Sequence, residues 1–212
     1  MRLKDRINHE SLKLFSIKGY LNTSISDILQ AADSSKGGFY NHYESKEDLF
    51  YEVLEIAQNI WREKVLNGLD EIDSPVGKIK KLLENYRDRY LKDDYHFPGG
   101  CIFVTFSVEL DDQRPHLMQE VNKGFVGLRR MLKKLLEEGK ERGELRADVN
   151  TDRATELIFS GMIGASVLFG VDKSATSLDK SINSLIVYLD GLVPRESLAK
   201  LNIETENQLW RK

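Results

Sequence analysis

Proline occurs only at positions 75, 98, 115 and 194 of the 212 residues, and each of the four stands where an amphipathic pattern begins or ends. A helix interior excludes proline, because the ring removes an amide donor and strikes the preceding turn. The long proline-free stretches are therefore open to helix, and no run of alternating β-branched residues competes for them. An all-α chain is expected. Its 41% apolar and 31% charged residues are those of an ordinary globular protein. Its length suffices to bury roughly 70% of the unfolded surface without disulfide staples. Cys101, the only cysteine, can form no internal disulfide and suits a reducing cytoplasm. The first ten residues hold no apolar core of a signal peptide. The longest uncharged stretch, residues 157–171, is shorter than the roughly 18 apolar residues a membrane span requires. A cytoplasmic location with no membrane partner is expected.

Helix starts carry their own chemistry. Ser24-Ile-Ser-Asp27 and Ser45-Lys-Glu-Asp48 have the Ser-x-x-acid spacing in which hydroxyl and carboxylate satisfy orphan first-turn amides. Ser74-Pro75 and Arg114-Pro115 put proline at the first helical position, where its missing donor costs nothing. The pattern predicts about nine helices, over residues 2–18, 24–32, 35–42, 46–67, 75–92, 100–110, 115–142, 151–170 and 177–192, with a short extra helix in 195–212.

The first 46 residues are the most informative. Leu3, Ile7, Ser11, Leu14 and Phe15 recur at helical spacing, and Gly19 closes that helix. Ile25, Ile28, Leu29 and Ala32 face the same core, followed by a tight Asp33-Ser34 connection and a helix of about two turns, the helix-turn-helix arrangement. In that motif the second short helix lies in the DNA major groove. The segment SSKGGFYNHY, residues 34–43, has no acid and several hydroxyl and amide donors. Phe39 and Tyr43 would face inward, leaving Lys36, Gly37, Gly38, Tyr40, Asn41 and His42 toward the outside. A net charge of −3 argues against a basic coat, so DNA binding must be local. Residues 1–46 hold seven basic and five acidic side chains, whereas the remainder holds 24 and 29.

Residues 7–54 resemble the DNA-binding domain of the tetracycline-repressor (TetR/AcrR) family. The resemblance rests on Leu14-Phe15, Gly19-Tyr20, Thr23 to Ile28, Ser35-Lys36-Gly37, Phe39-Tyr40, His42-Tyr43 and Ser45 to Leu49. It implies a DNA-binding helix-turn-helix domain, residues 1–46, and a larger helical domain, residues 47–212, that binds an effector and dimerises. Carried over by position, Lys36, Gly37 and Gly38 begin the base-reading helix, Tyr40 and His42 lie beside bases and phosphates, and Ser24 and Lys46 clamp phosphates. Ser35 and Asn41 complete the candidate set. The sequence departs from the family at Asp33, in a turn that usually reads Ala-Gly-Val, and at Gly38, usually a larger residue. Paired glycines leave Lys36 nearly alone at the helix start, which shifts discrimination toward groove shape.

In the larger domain, apolar and aromatic side chains gather on the middle helices. Most are core, and the resemblance implies that some line a cavity for a small apolar or aromatic effector. The candidates are Trp61, Tyr86, Tyr90, Cys101, Phe103, Phe106, Phe125, Phe159 and Met162. Gly99-Gly100-Cys101, with Glu109-Leu110 and Gly143-Glu144-Leu145, resembles a subgroup that includes the N-ethylmaleimide-reductase repressor, in which a cysteine senses electrophiles. A thiol at a helix N-terminus gains thiolate character from the dipole, whereas a free cysteine is also an ordinary buried apolar residue. Both readings stand. The last two helices carry more apolar surface than one exposed pair should, and the family forms a dimer there. Ile158, Gly161, Ala165, Ile182, Leu185 and Leu189 are the candidate interface, and two-fold symmetry implies an inverted-repeat operator. Nothing suggests an enzyme or a cofactor. The histidines at 9, 42, 96 and 116 form no i, i+4 metal pair, and Asp93-Asp94-Tyr95-His96 reads as a solvated loop. The competing reading is a ligand-binding helical dimer without sequence-specific DNA recognition.

Overall fold

The computed structural model describes residues 2–194, so the helix expected in 195–212 lies outside the described residues. Those residues form nine helices and no strand: α1 (Leu3–Lys18), α2 (Ile25–Ala31), α3 (Lys36–Tyr40), α4 (Lys46–Val65), α5 (Pro75–Asn85), α6 (Ile102–Leu110), α7 (Pro115–Glu141), α8 (Thr151–Asp172) and α9 (Ala175–Asp190). One of the two expected capping boxes closes. Ser24 Oγ accepts from the Asp27 amide at 3.1 Å while Asp27 accepts from the Ser24 amide at 2.8 Å, closing a full capping box. Ser45 takes only half of that role, because the Asp48 carboxylate accepts from the Glu44 amide instead.

Two helices differ from expectation. α3 ends at Tyr40, and the chain leaves it through turns anchored on buried Phe39. The helix expected over 75–92 is α5 followed by a π-helical segment, Tyr86–Leu91, a geometry common beside functional sites. It brings the rings of Tyr86 and Tyr90 into a stack with centroids 5.6 Å apart.

α1, α2 and α3 pack around Ile7, Phe15, Ile28, Phe39 and Tyr43, while α4 runs from this unit into the larger bundle, where α5, α7, α8 and α9 pack on one another. A buried polar network pins α1, α4 and the exit of α3 together: the Tyr43 hydroxyl donates to Asn8 Oδ1, and Asn8 Nδ2 donates to Glu52 Oε1 at 2.8 Å. The joint between the two parts is aromatic, with Phe50 between Tyr20 (5.1 Å) and Phe106 (4.9 Å).

α6 bridges that joint. The Glu109 carboxylate accepts from the amides of Tyr20 and Leu21, each at 2.6 Å, where α1 ends at Gly19 with φ +81°. At the other end of α6, the Gly99 amide donates to Ser16 Oγ at 3.2 Å. No side chain fits at Gly99, since a Cβ there would overlap the Ser16 carbonyl.

Candidate nucleic-acid interface and bundle cavity

The turn between α2 and α3 is built by Asp33 in the left-handed region (φ 45°), with the Arg6 guanidinium donating to the Asp33 carbonyl at 3.3 Å. An aspartate pays less than most side chains for that conformation, which is how the turn forms without the family's glycine. Ser35 caps α3 by accepting the Gly38 amide at 3.1 Å. Phe39 is wholly buried, and this one anchor fixes the rotation of the short helix. Lys36, Gly37, Tyr40, Asn41 and His42 are exposed, with Tyr40 at 55%. α3 has no acid in its first turn, whereas α2 and α4 carry Asp27, Glu47 and Asp48 in theirs. An anion approaching α3 therefore meets no competing carboxylate on that helix.

Four candidates sit differently from the exposed set. Gly38 is half-buried, and a side chain there would press on Leu3 and Ser34, so its glycine is explained by packing against α1. The hydroxyls of Ser24 and Ser35 are engaged in capping. Lys46 is half-buried, its ammonium donating to the carbonyls of Tyr20 and Thr23 at 2.9 Å each and lying 4.3 Å from the Tyr20 ring centroid. Two of its three donors thus brace the connection between α1 and α2. Burial lowers its pKa, with Glu109 opposing.

The larger domain encloses a cavity of about 410 Å³ between α4, the π-helical segment, α6, α7 and α8. Of the nine candidates, Trp61, Tyr86, Cys101, Phe103, Phe125 and Met162 line it. Three do not. Tyr90 lies behind Tyr86 and donates to Cys101 Sγ at 3.5 Å, and Phe106 belongs to the aromatic joint. Phe159 packs edge-on against Phe125 beneath the Arg129 guanidinium. Sequence reasoning missed Gln58 and Arg62 on α4, Leu66 just past its end, Ile163 on α8 and a row along α7: Glu120, Val121, Lys123, Gly124, Gly127, Leu128 and Met131. The spacing of Val121, Gly124, Leu128 and Met131 was the available signal, one face of a helix whose glycines leave open space.

Cys101 is buried. It precedes α6 as its N-cap, but burial pushes the thiol pKa up, against the hydrogen bonds from Tyr90 and the α6 amides that pull it down. Desolvation thus opposes the helix dipole at this thiol.

The expected interface residues are also corrected. Ile158, Ala165, Ile182, Leu185 and Leu189 are buried within the protomer. Gly161 is where α8 meets α9, since a Cβ there would sit 2.5 Å from Leu185 Cδ2. The exposed apolar surface is the opposite side of the pair, with Leu157, Val167, Leu168 and Val171 on α8 and Val187 on α9. By length and composition α8 would also pass for a membrane span, yet its Ile158, Phe159, Met162 and Phe169 face is packed in the bundle. The loop expected to be solvated is partly internal: Asp93 is buried and pairs with Lys64 at 3.0 Å and His96 at 2.7 Å.

A model of bacterial regulatory proteins of the tetR family matches residues 7–53, and a model of the tetracyclin repressor-like C-terminal domain matches residues 75–185. The chain is 26% identical over 193 residues to the HTH-type transcriptional repressor DhaR of Mycobacterium sp. strain GP1, covering 91% of this chain and 93% of that one. It is also 26% identical over 195 residues to the HTH-type transcriptional regulator QacR of Staphylococcus aureus strain Mu50, covering 91% and 99%. A crystal structure of a TetR transcriptional regulator from Chloroflexus aurantiacus J-10-FL superposes with a TM-score of 0.82 at 32% identity, covering 90% of this chain and 96% of that one.

Proposed function

The chain belongs to the TetR family of bacterial regulatory proteins and is a DNA-binding transcriptional regulator, and we propose that it acts as a homodimeric repressor released from an inverted-repeat operator by a small apolar or aromatic effector. In this reading residues 1–46 form the DNA-reading domain and residues 47–212 the effector and dimer domain, with α4 continuous between them. The observation that carries it is the exposed set Lys36, Gly37, Tyr40, Asn41 and His42 on a short helix pinned from behind by Phe39. Ser35 caps that helix, Ser24 caps α2 and Lys46 braces the connection between α1 and α2, and the caps leave other first-turn amides available for phosphate.

The dimer would form through Leu157, Val167, Leu168, Val171 and Val187, apolar surface that a monomer would leave in water. A two-fold axis there presents two copies of α3 to successive major-groove faces, roughly 34–36 Å apart or a multiple of that.

α6 supplies the coupling. Cys101 and Phe103 at its start line the cavity, and Glu109 at its end holds the turn after α1. A ligand that displaces the start of α6 also displaces the carboxylate on which that turn hangs, while Trp61 and Leu66 transmit the same event to α4. Gel shifts against the DNA upstream of the protein's own coding region test the proposal. Tyr40→Ala and Lys36→Ala should each weaken specific binding at least tenfold while the dimer stays folded. Undiminished affinity in both variants overturns the assignment.

A further inference from the structure

The cavity sorts its polar groups by depth. Its innermost members are uncharged: Met162, Tyr86 and Cys101 are nearly inaccessible, and only the last two bring polar side-chain atoms. The Tyr86 proton is committed inward. Ser166 Oγ donates to the Met162 carbonyl at 3.0 Å and so accepts from the Tyr86 hydroxyl, while the Tyr90 hydroxyl donates to Cys101 Sγ. The floor therefore offers one phenolic oxygen and a weak S–H, and no partner for a charge, which would be costly to bury there.

Charges stand at the mouth, and they are not balanced. Both Glu120 oxygens lie on the Lys123 ammonium, at 2.7 and 2.6 Å. Arg62 holds only neutral acceptors, Asn59 Oδ1 at 2.6 Å and Gln58 Oε1 at 3.4 Å, and no carboxylate pairs with it among the described residues. A guanidinium has five donors in a fork that matches a carboxylate, so most of this fork is unfilled.

The geometry points to an effector that is an aromatic acid, its ring body among Trp61, Phe103 and Phe125 and its carboxylate on Arg62; this rests on the effector reading given above. The cavity's 410 Å³ leaves room for one or two fused rings. Because Arg62 is on α4, the anion engages the helix that leads to the DNA-reading domain.

Isothermal titration of the full-length protein with three probes of one shape tests this: 2-naphthoate, 2-naphthalenemethanol and 2-naphthylmethylammonium. The acid should bind at least tenfold tighter than the alcohol, and the ammonium weakest. In Arg62→Gln the acid should lose about tenfold while the alcohol changes less than threefold. An ammonium that binds as tightly as the acid, or an acid affinity untouched by Arg62→Gln, overturns the inference and leaves the cavity reading standing. If none of the three binds, both fall.

Discussion

Replacing Glu109 with alanine removes the carboxylate that holds the end of α1 to α6. The loss comprises two hydrogen bonds to an ionised acceptor, each at 2.6 Å, from the Tyr20 and Leu21 amides. Such bonds contribute roughly 1.5–3 kcal/mol apiece when shielded. Glu109 is only half-buried, and water can take over part of the work, so the sum is discounted to about 2–3 kcal/mol. Glu109→Gln keeps one good acceptor and should lose about half as much. Urea unfolding at fixed protein concentration gives the stability, and amide hydrogen exchange gives the location: the Tyr20 and Leu21 amides should exchange at least tenfold faster in Glu109→Ala, ahead of the helix interiors. An unchanged urea midpoint, or unchanged exchange at those two amides, refutes the view that α6 braces the DNA-reading domain through this side chain.

Three further outcomes follow from the same structure. Lys36→Ala should flatten the dependence of log affinity on log salt by about one unit if Lys36 meets a phosphate, and leave the slope unchanged but relax base preference if it meets a base. Leu168→Glu should yield a folded monomer in sedimentation at micromolar protein, whereas Ile182→Glu, which buries a charge in the protomer core, should unfold the chain. His9, whose ring lies 4.7 Å from that of Tyr95 and 6.1 Å from that of His96, has its pKa lowered by burial and by Lys13 and His96, against Glu10. The unfolded chain therefore binds this proton more readily. Stability should be full above pH 6.5 and fall as the pH drops through that value, and His9→Leu should flatten the slope measured by urea unfolding between about pH 7.5 and 5.5.

What the sequence disclosed follows from the range over which each signal acts. Caps and prolines act within one turn, and Ser24, Ser74, Pro75 and Pro115 located their helix starts to a residue. The short helix 3 and its inward Phe39 were legible for the same reason. α8 was legible as a helix but not in its rotation, because it is apolar on nearly every side from 157 to 171 and periodicity then cannot say which face meets a partner. That ambiguity put Ile158 and Ala165 at the interface when they face inward. Tyr90 and Phe106 could not be told from cavity residues, since core and cavity walls share one composition. Glu109 had no local signature: its partners lie 88 and 89 residues away. Cys101 showed its helix-start position but not its burial.

The central claim is that a symmetric pair of these chains reads a symmetric DNA sequence with α3. Selection of the full-length protein against a library of random duplexes at physiological salt, followed by sequencing, tests it whatever the target sequence is. The account predicts enrichment of one inverted repeat whose half-sites are a whole number of helical turns apart, lost with Tyr40→Ala. A pool that stays random, or one that converges on an asymmetric site, would contradict it.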